Sequence, residues 1–404
     1  MTDSSRVTCP VLEEDVFSDE NLANSAPLYK RVRDMGDAVW VPRIDQYVVA
    51  RYDDVVKSLK AADKLISGKG VSVNETQNQM FSDQPEAAHA SSLTSDGARH
   101  SLFKRYEMKP LLRNNVITLK DDILALADGV IKDLADGQTF EGMSALASYL
   151  PLQIISKMVG VKELDNDKML RWAGALFDAF GPEYNPRTLA AYPVLGEYAA
   201  FHASLNKESL IPGGWADQLM DGVTNGDLTP EEAHGLVGSY IVPSLDTTIH
   251  STGELVYQLA KKPELYERLK ENPDLIDSAV LEAVRLATPL RGFTRFVAED
   301  FQLTDSTLPA GSRVWLWYAS ANRDERHYPN PDQFDLDRNP VDNIGWGHGP
   351  HSCIGKHLAQ MEIRSILQSL IKYVDRIELD DSCRIVNNSA QGYESLTMRL
   401  IPRG

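Results

Sequence analysis

Ile344-Gly345-Trp346-Gly347-His348-Gly349-Pro350-His351-Ser352-Cys353-Ile354-Gly355 crowds glycines and a proline around one cysteine, and a helical pattern opens at Lys356. Gly347, Gly349 and Gly355 have no Cβ, so the backbone there can turn tightly and lie close to a flat partner. The positive end of the following helix stabilises a sulfur anion at Cys353. A thiolate held this way suits a metal with one open protein-ligand position, and haem iron leads the candidates. A buried free cysteine in a glycine-rich turn is the plain alternative. The spacing of the glycines argues for the ligand.

Outward from that loop the chain reads as mainly helical. Thr229-Pro230-Glu231-Glu232 is a capping box with proline at the first helical position, which starts a helix there. The helix is expected over about 230–261, roughly 45 Å at 1.5 Å per residue, with Asp246 and Thr247 near its middle. Pro243 has no N–H for the Ser239 carbonyl and should push that turn open. Upstream, 27–35 reads as a short helix, 39–42 and 47–50 as a hairpin, and 53–60 as a helix. The polar, aperiodic stretch 67–93 is expected to be irregular. Helical patterns resume near His100 and dominate to about residue 289. Short strands such as 313–318 follow, and a last helix begins near Lys356.

The 404 residues would allow two or three domains by length alone. No linker, repeat or low-complexity tract divides them, so one domain over 1–404 is expected, mainly α with small β-sheets. A hydrophobic fraction of 43% is ample for its core. Three cysteines, Cys9, Cys353 and Cys383, make no disulfide framework and fit a reducing compartment. The first ten residues lack the apolar centre of a secretory leader. No stretch approaches the roughly 20 apolar residues needed to cross a bilayer, so a soluble, cytoplasmic protein is expected. A net charge of −17 argues against nucleic acid as a partner.

Trp346-Gly347-x-Gly349-x-His351-x-Cys353-x-Gly355 resembles the cysteine loop of the cytochromes P450, the haem-thiolate monooxygenases. Trp346 replaces the family's usual phenylalanine. Glu282-x-x-Arg285 matches the family's helix pair, Asp246-Thr247 its oxygen-handling pair, and Ala321-Asn322-Arg323-Asp324 a segment frequent in bacterial members. These motifs fall in the family's order over the C-terminal part of the chain, and the first third matches more loosely. The resemblance implies a single-domain P450 fold with its long central helix over haem b, ligated through Cys353.

Further roles follow from the resemblance. Gly347 and Trp346 would pack beside the sulfur, and His351, Arg295, His100 and Lys104 would meet the haem propionates, which need cationic donors. Lys104 stands where arginine is more usual, keeping charge but losing bidentate geometry. Asp246 and Thr247 would relay protons to oxygen, although the family usually has Ala-Gly where this chain has Pro243-Ser244. The plain alternative is that Thr247 bonds its own helix backbone and Asp246 faces water. Glu282 and Arg285 share a helix face. They are expected to be a buried structural pair behind the loop, with Arg338 as third member, rather than a solvated surface pair.

Leu176-Phe177-Asp178-Ala179-Phe180-Gly181-Pro182 and Pro289-Leu290-Arg291-Gly292-Phe293-Thr294-Arg295 are similar to substrate-lining segments of bacterial members that demethylate or hydroxylate para-substituted benzoic acids. Lys69-Gly70-Val71-Ser72 and 387–396 share that likeness. Phe177, Phe180 and Phe293 would pack a flat ring against the haem, with Leu290 and Val242 beside them. Lys69, Ser72 or Arg291 would anchor a carboxylate or phenol oxygen. Val242 stands where those relatives place a polar residue, and phenylalanines one turn apart are often plain core.

The resulting expectation is a monooxygenase that inserts one atom of O2 into a small aromatic substrate. Hydroxylation or O-demethylation of a para-substituted benzoate or methoxyphenol would be its reaction. The alternatives are a terpene or other small-molecule hydroxylase, a peroxide-driven enzyme, and a haem-based sensor or carrier. The acid–alcohol pair speaks against the last two. No flavin or dinucleotide fingerprint appears, so electrons should come from an acidic ferredoxin with its NAD(P)H ferredoxin reductase. Arg99, Lys104, Arg105, Lys109, Arg113, Lys356 and Arg364 are the expected basic docking patch.

Overall fold

A computed structural model describes residues 9–83 and 90–404, and only the backbone of 80–83. Eleven helices of ten or more residues among the described residues form the bulk of it, from Ala26–Met35 through Gly97–Met108, Lys120–Leu134 and Ile276–Ala287 to Lys356–Tyr373. The capping box acts as its spacing predicts. Thr229 N donates to Glu232 Oε2 at 2.8 Å and Glu232 N to Thr229 Oγ1 at 3.2 Å, closing the first turn of Pro230–Ile241.

The helix expected over 230–261 does not run unbroken. Pro230–Ile241 ends in a 3-10 turn, Val242–Ser244, and a second helix, Asp246–Lys261, continues beyond it. Pro243 lacks the N–H that an α-turn needs, and Leu245 at φ −89°, ψ −82° bends away from helical geometry. The second helix is embedded in the main apolar cluster through Ile249, Leu255, Val256 and Leu259. It packs on Ile276–Ala287, Lys356–Tyr373 and the strand Val374–Arg384. Asp246 therefore begins a helix rather than sitting inside one.

A five-stranded sheet flanks the helical part, in the order Val39–Val41, Gln46–Val49, Arg313–Trp317, Gly292–Val297, Leu65–Ile66. The hairpin pairs Val39 with Val48, and Arg313–Trp317 is buried along its whole length, as a strand inside a sheet must be. A second sheet joins Thr139–Glu141, Tyr393–Pro402 and Val374–Arg384.

The stretch 67–93 differs from expectation because a helix, Glu75–Asp83, lies inside it. Asn74 Oδ1 accepts from Gln77 N at 3.1 Å, an N-cap that the run Asn74-Glu75-Thr76-Gln77 announces. The polar face of that helix is spent on tertiary bonds, Asn78 to Ser72 and Glu75 to Arg313. Its amphipathic signal is correspondingly weak. The 84–89 part of the expectation lies outside the described residues.

Candidate haem and oxygen-handling site

The cysteine loop needs its glycines. Gly347 and Gly349 have φ of +65° and +67°, and a Cβ on Gly349 would sit 2.6 Å from the Leu59 carbonyl oxygen. Cys353 N closes the loop on Trp346 O at 2.8 Å. Burial raises the Cys353 thiol pKa. The amide of Gly355, the charge of Lys104 and the amide and charge of Lys356 pull it back towards the thiolate. The residue lies deep in the molecule, yet its surface is not covered by protein, so the sulfur faces a cleft.

Three buried ring nitrogens around this loop have no partner among the described residues: Trp346 Nε1, His351 Nδ1 and His100 Nε2. The His100 and His351 rings lie 4.4 Å apart. Burial, then the charges of His351 and Lys104, push His100 down to about 4, so it is neutral and offers one hydrogen-bond donor. His351 Nε2 stands 3.4 Å from Ser67 Oγ and 3.8 Å from Asp96. Arg295 is buried, close enough to lower the His351 pKa, and donates to the neighbouring Thr294 carbonyl at 2.8 Å and to the Tyr318 hydroxyl. An uncovered sulfur with unspent donors beside it fits a haem carrying two propionates. Lys104 braces the loop itself, donating to Ser352 O at 3.1 Å and to Pro350 O, which leaves one of its three ammonium donors for a propionate.

Thr247 Oγ1 donates to Pro243 O at 2.9 Å across the opened turn, so its hydroxyl does bond its own backbone. Asp246 does not face water. It is 9% exposed, and burial, with the Asp178 charge added, pushes its carboxyl up to about 7. Asp178 was not singled out from the sequence. A carboxylate between Phe177 and Ala179, both buried, was the available signal.

Behind the loop, Arg285 donates to both oxygens of Glu282 at 2.7 and 2.8 Å, with both side chains fully buried. Arg285 also reaches the carbonyls of Asn322, Pro331 and Gln333. Arg338 Nε joins Glu282 Oε1 at 3.1 Å. The three are thus brought together as a cross-brace between one helix and the segment before the loop.

Phe177, Phe180 and Phe293 also meet. Centroids stand 6.3 Å apart for Phe177–Phe180 and 5.9 Å for Phe180–Phe293, both edge to face. With Ala390, Leu176 and Leu290 they form a small cluster of their own, joined to the main core through Leu176. Val242 belongs to the main core instead and is fully buried.

The expected anchors are corrected by their bonds. Arg291 is 3% exposed, and its guanidinium donates to Leu22 O at 2.6 Å, Tyr29 Oη at 3.1 Å, Gln391 Oε1 at 3.3 Å and Ser25 Oγ. It ties the N-terminal segment down. Lys69 is exposed with its ammonium 4.1 Å over the Phe296 ring. Phe296 points to the face of its strand opposite Phe293. Ser72 Oγ lies beside the cluster but donates to Phe180 O at 3.1 Å and accepts from Asn74 N at 2.9 Å.

The basic patch is largely neutralised. Arg105 pairs with Asp227 at 2.9 Å, Lys109 with Asp221 at 2.7 Å, Arg364 with Asp277 at 2.6 Å, and Arg99 with Glu232. No helix among the described residues is long and apolar enough to cross a membrane.

The Cytochrome P450 family profile matches residues 199–390. Cytochrome p450 CYP199A2 of Rhodopseudomonas palustris is 31% identical over 395 residues, 97% of this chain and 95% of that protein. Linalool 8-monooxygenase of Pseudomonas putida is 26% identical over 392 residues, 93% of this chain and 95% of that one. A solved structure, Mycobacterium marinum cytochrome P450 CYP268A2 in complex with pseudoionone, superposes with a TM-score of 0.83 at 26% identity. It covers 96% of this chain and 99% of that one. The family's cofactor is haem b on a cysteine thiolate, which Cys353 supplies here. The chain belongs to the cytochrome P450 family of monooxygenases.

Proposed function

We propose that this monooxygenase oxidises a small planar aromatic compound, a para-substituted methoxyphenol or benzoate, by hydroxylation or O-demethylation. The observation that carries the reading is the edge-to-face set Phe177, Phe180 and Phe293, which forms a small cluster of its own. Asp178, next to Phe177, acts electrostatically on Asp246, which connects that set to the proton-handling residues. Haem b, when bound, supplies the iron at which O2 is reduced by two electrons. Asp246 holds a proton near neutrality, and Thr247 keeps its hydroxyl on the opened turn. The three rings orient the substrate and exclude water. Hydroxylation of a methoxy carbon gives a product that collapses to a phenol and formaldehyde.

With Arg291 and Lys69 committed elsewhere, a methoxyphenol suits this wall better than a benzoate. A carboxylate without a cationic partner is costly to bury, and neither Asp178 nor Asp246 can supply one. Electrons come from a separate ferredoxin and its reductase.

Titrating the holoenzyme with 4-methoxyphenol, 4-methoxybenzoate and linalool, read as the spin-state shift of the Soret band, tests the assignment. The aromatics should shift the band, and Phe293→Ala should weaken their binding by about 1–3 kcal/mol through lost apolar contact. A shift with linalool alone would leave the monooxygenase and remove the aromatic assignment.

A further inference from the structure

We propose that His250 relays protons from the protein surface to Asp246, along a file of Asp246, His250 and Glu254 on one face of the Asp246–Lys261 helix. The inference rests on the proton-handling role given above to Asp246 and Thr247. The three residues are spaced four apart, so each stands one turn from the next, about 6 Å along the axis. Their exposures are 9%, 5% and 1%. A helix face buried in a core is normally apolar, and this one carries three titratable groups in succession.

His250 is the link with the least structural reason to be there. Both of its ring nitrogens are buried and neither has a partner among the described residues. Two buried ring nitrogens with no protein partner leave one free to take up a proton and the other free to release one. Burial and the Arg384 charge push its pKa to about 4, so the ring is neutral. A neutral imidazole has one donor and one acceptor nitrogen, and a proton entering at one can leave from the other.

The outer end of the file reaches solvent. A cavity of about 250 Å³ is lined by Ser25, Tyr29, Arg323, Arg384, Gln391 and Gly392 among others. Gly392 lies directly on the His250 ring, since a Cβ built there would fall 2.5 Å from Nδ1. One glycine backbone therefore separates the imidazole from the cavity. Arg384, at the cavity wall, pairs with Glu254 Oε2 at 3.3 Å, and Glu254 Oε1 accepts from Gln258 at 2.7 Å. A proton from cavity water enters one ring nitrogen, the opposite nitrogen releases one towards Asp246, and tautomer exchange resets the ring. No electron moves in any of these steps.

The test uses holoenzyme carrying His250→Leu or His250→Gln, with Asp246→Asn and Thr247→Ala alongside. Two quantities are read: the fraction of NADH electrons lost to peroxide during turnover, and the rate at which the Asp246 carboxyl stretch shifts when resting ferric protein is moved into D2O. Glutamine restores polar volume but cannot take up and release a proton. A relay therefore predicts slower deuteration and severalfold more peroxide in both His250 variants, with substrate affinity unchanged. A packing role predicts that His250→Gln matches the parent protein, and that result overturns the proposal even if His250→Leu fails to fold. If Asp246→Asn and Thr247→Ala also leave the peroxide fraction unchanged, the proton-handling reading itself falls.

Discussion

Arg291 and Asp246 show how one side chain's surroundings decide its role. Arg291 lies in a segment resembling a pocket wall, yet its guanidinium holds Ser25, Tyr29, Gln391 and the Leu22 carbonyl. Arg291→Ala should therefore lower stability by about 1–3 kcal/mol, the cost of leaving buried partners unsatisfied. The dissociation constant for 4-methoxyphenol should not change, and denaturant unfolding beside a binding titration checks both. Asp246 gives a prediction in pH. Its folded pKa of about 7 lies above the ordinary carboxylate value of 3.8, so between them the folded state binds one more proton than the unfolded. Stability from this group is then lost as pH rises from 3.8 to about 7. Asp246→Asn removes that loss. The variant should match the parent at low pH and unfold at higher denaturant above about 7.

Two features of the helices decide the site's shape. The break at Pro243 turns one long helix into two and makes Asp246 the first residue of the second. The Glu282–Arg285–Arg338 brace holds the segment before the cysteine loop against the helix Ile276–Ala287. Removing one partner of a fully buried pair leaves an uncompensated charge, so Arg285→Ala should cost about 3–5 kcal/mol. Urea unfolding measures the loss. The fraction of protein showing the thiolate band of the carbon-monoxide complex should fall with it, because the brace backs the loop that carries Cys353. Helix Glu75–Asp83 teaches a different lesson. Its start was readable from the Asn74 cap, while its polar face only makes sense once Ser72 and Arg313 are in place.

At the scale of the whole molecule, charge is the quantity the tertiary structure alters most. The chain carries −17 overall, and its acidic surplus pairs off most of the cations counted on for docking. Among the described residues Lys104, Arg113 and Lys356 remain without an acidic partner, and the charges of the last two act on His357. Electron transfer from an acidic ferredoxin should therefore fall shallowly with added salt, since paired charges offer little field to screen over about 8 Å. Charge reversal at Arg113 or Lys356 should slow the transfer more than reversal at Arg105 or Arg364. Stopped-flow reduction across a salt series tests both expectations.

The family and its cofactor were legible in the sequence because the cysteine loop is local: glycines, thiolate and helix start lie within a dozen consecutive residues. The helix pair and the capping box were legible for the same reason, since their partners stand three residues apart. Only the tertiary structure could decide which cations remain unspent. Arg291 and Lys69 were assigned from their place in the chain, but a long flexible cation bonds whatever acceptor the fold brings nearest. The same holds for Asp246, whose carboxyl is raised by burial and by Asp178, a residue far from it in sequence. Local backbone chemistry is written in consecutive residues. The burial and pairing of charges depend on neighbours that only folding brings together.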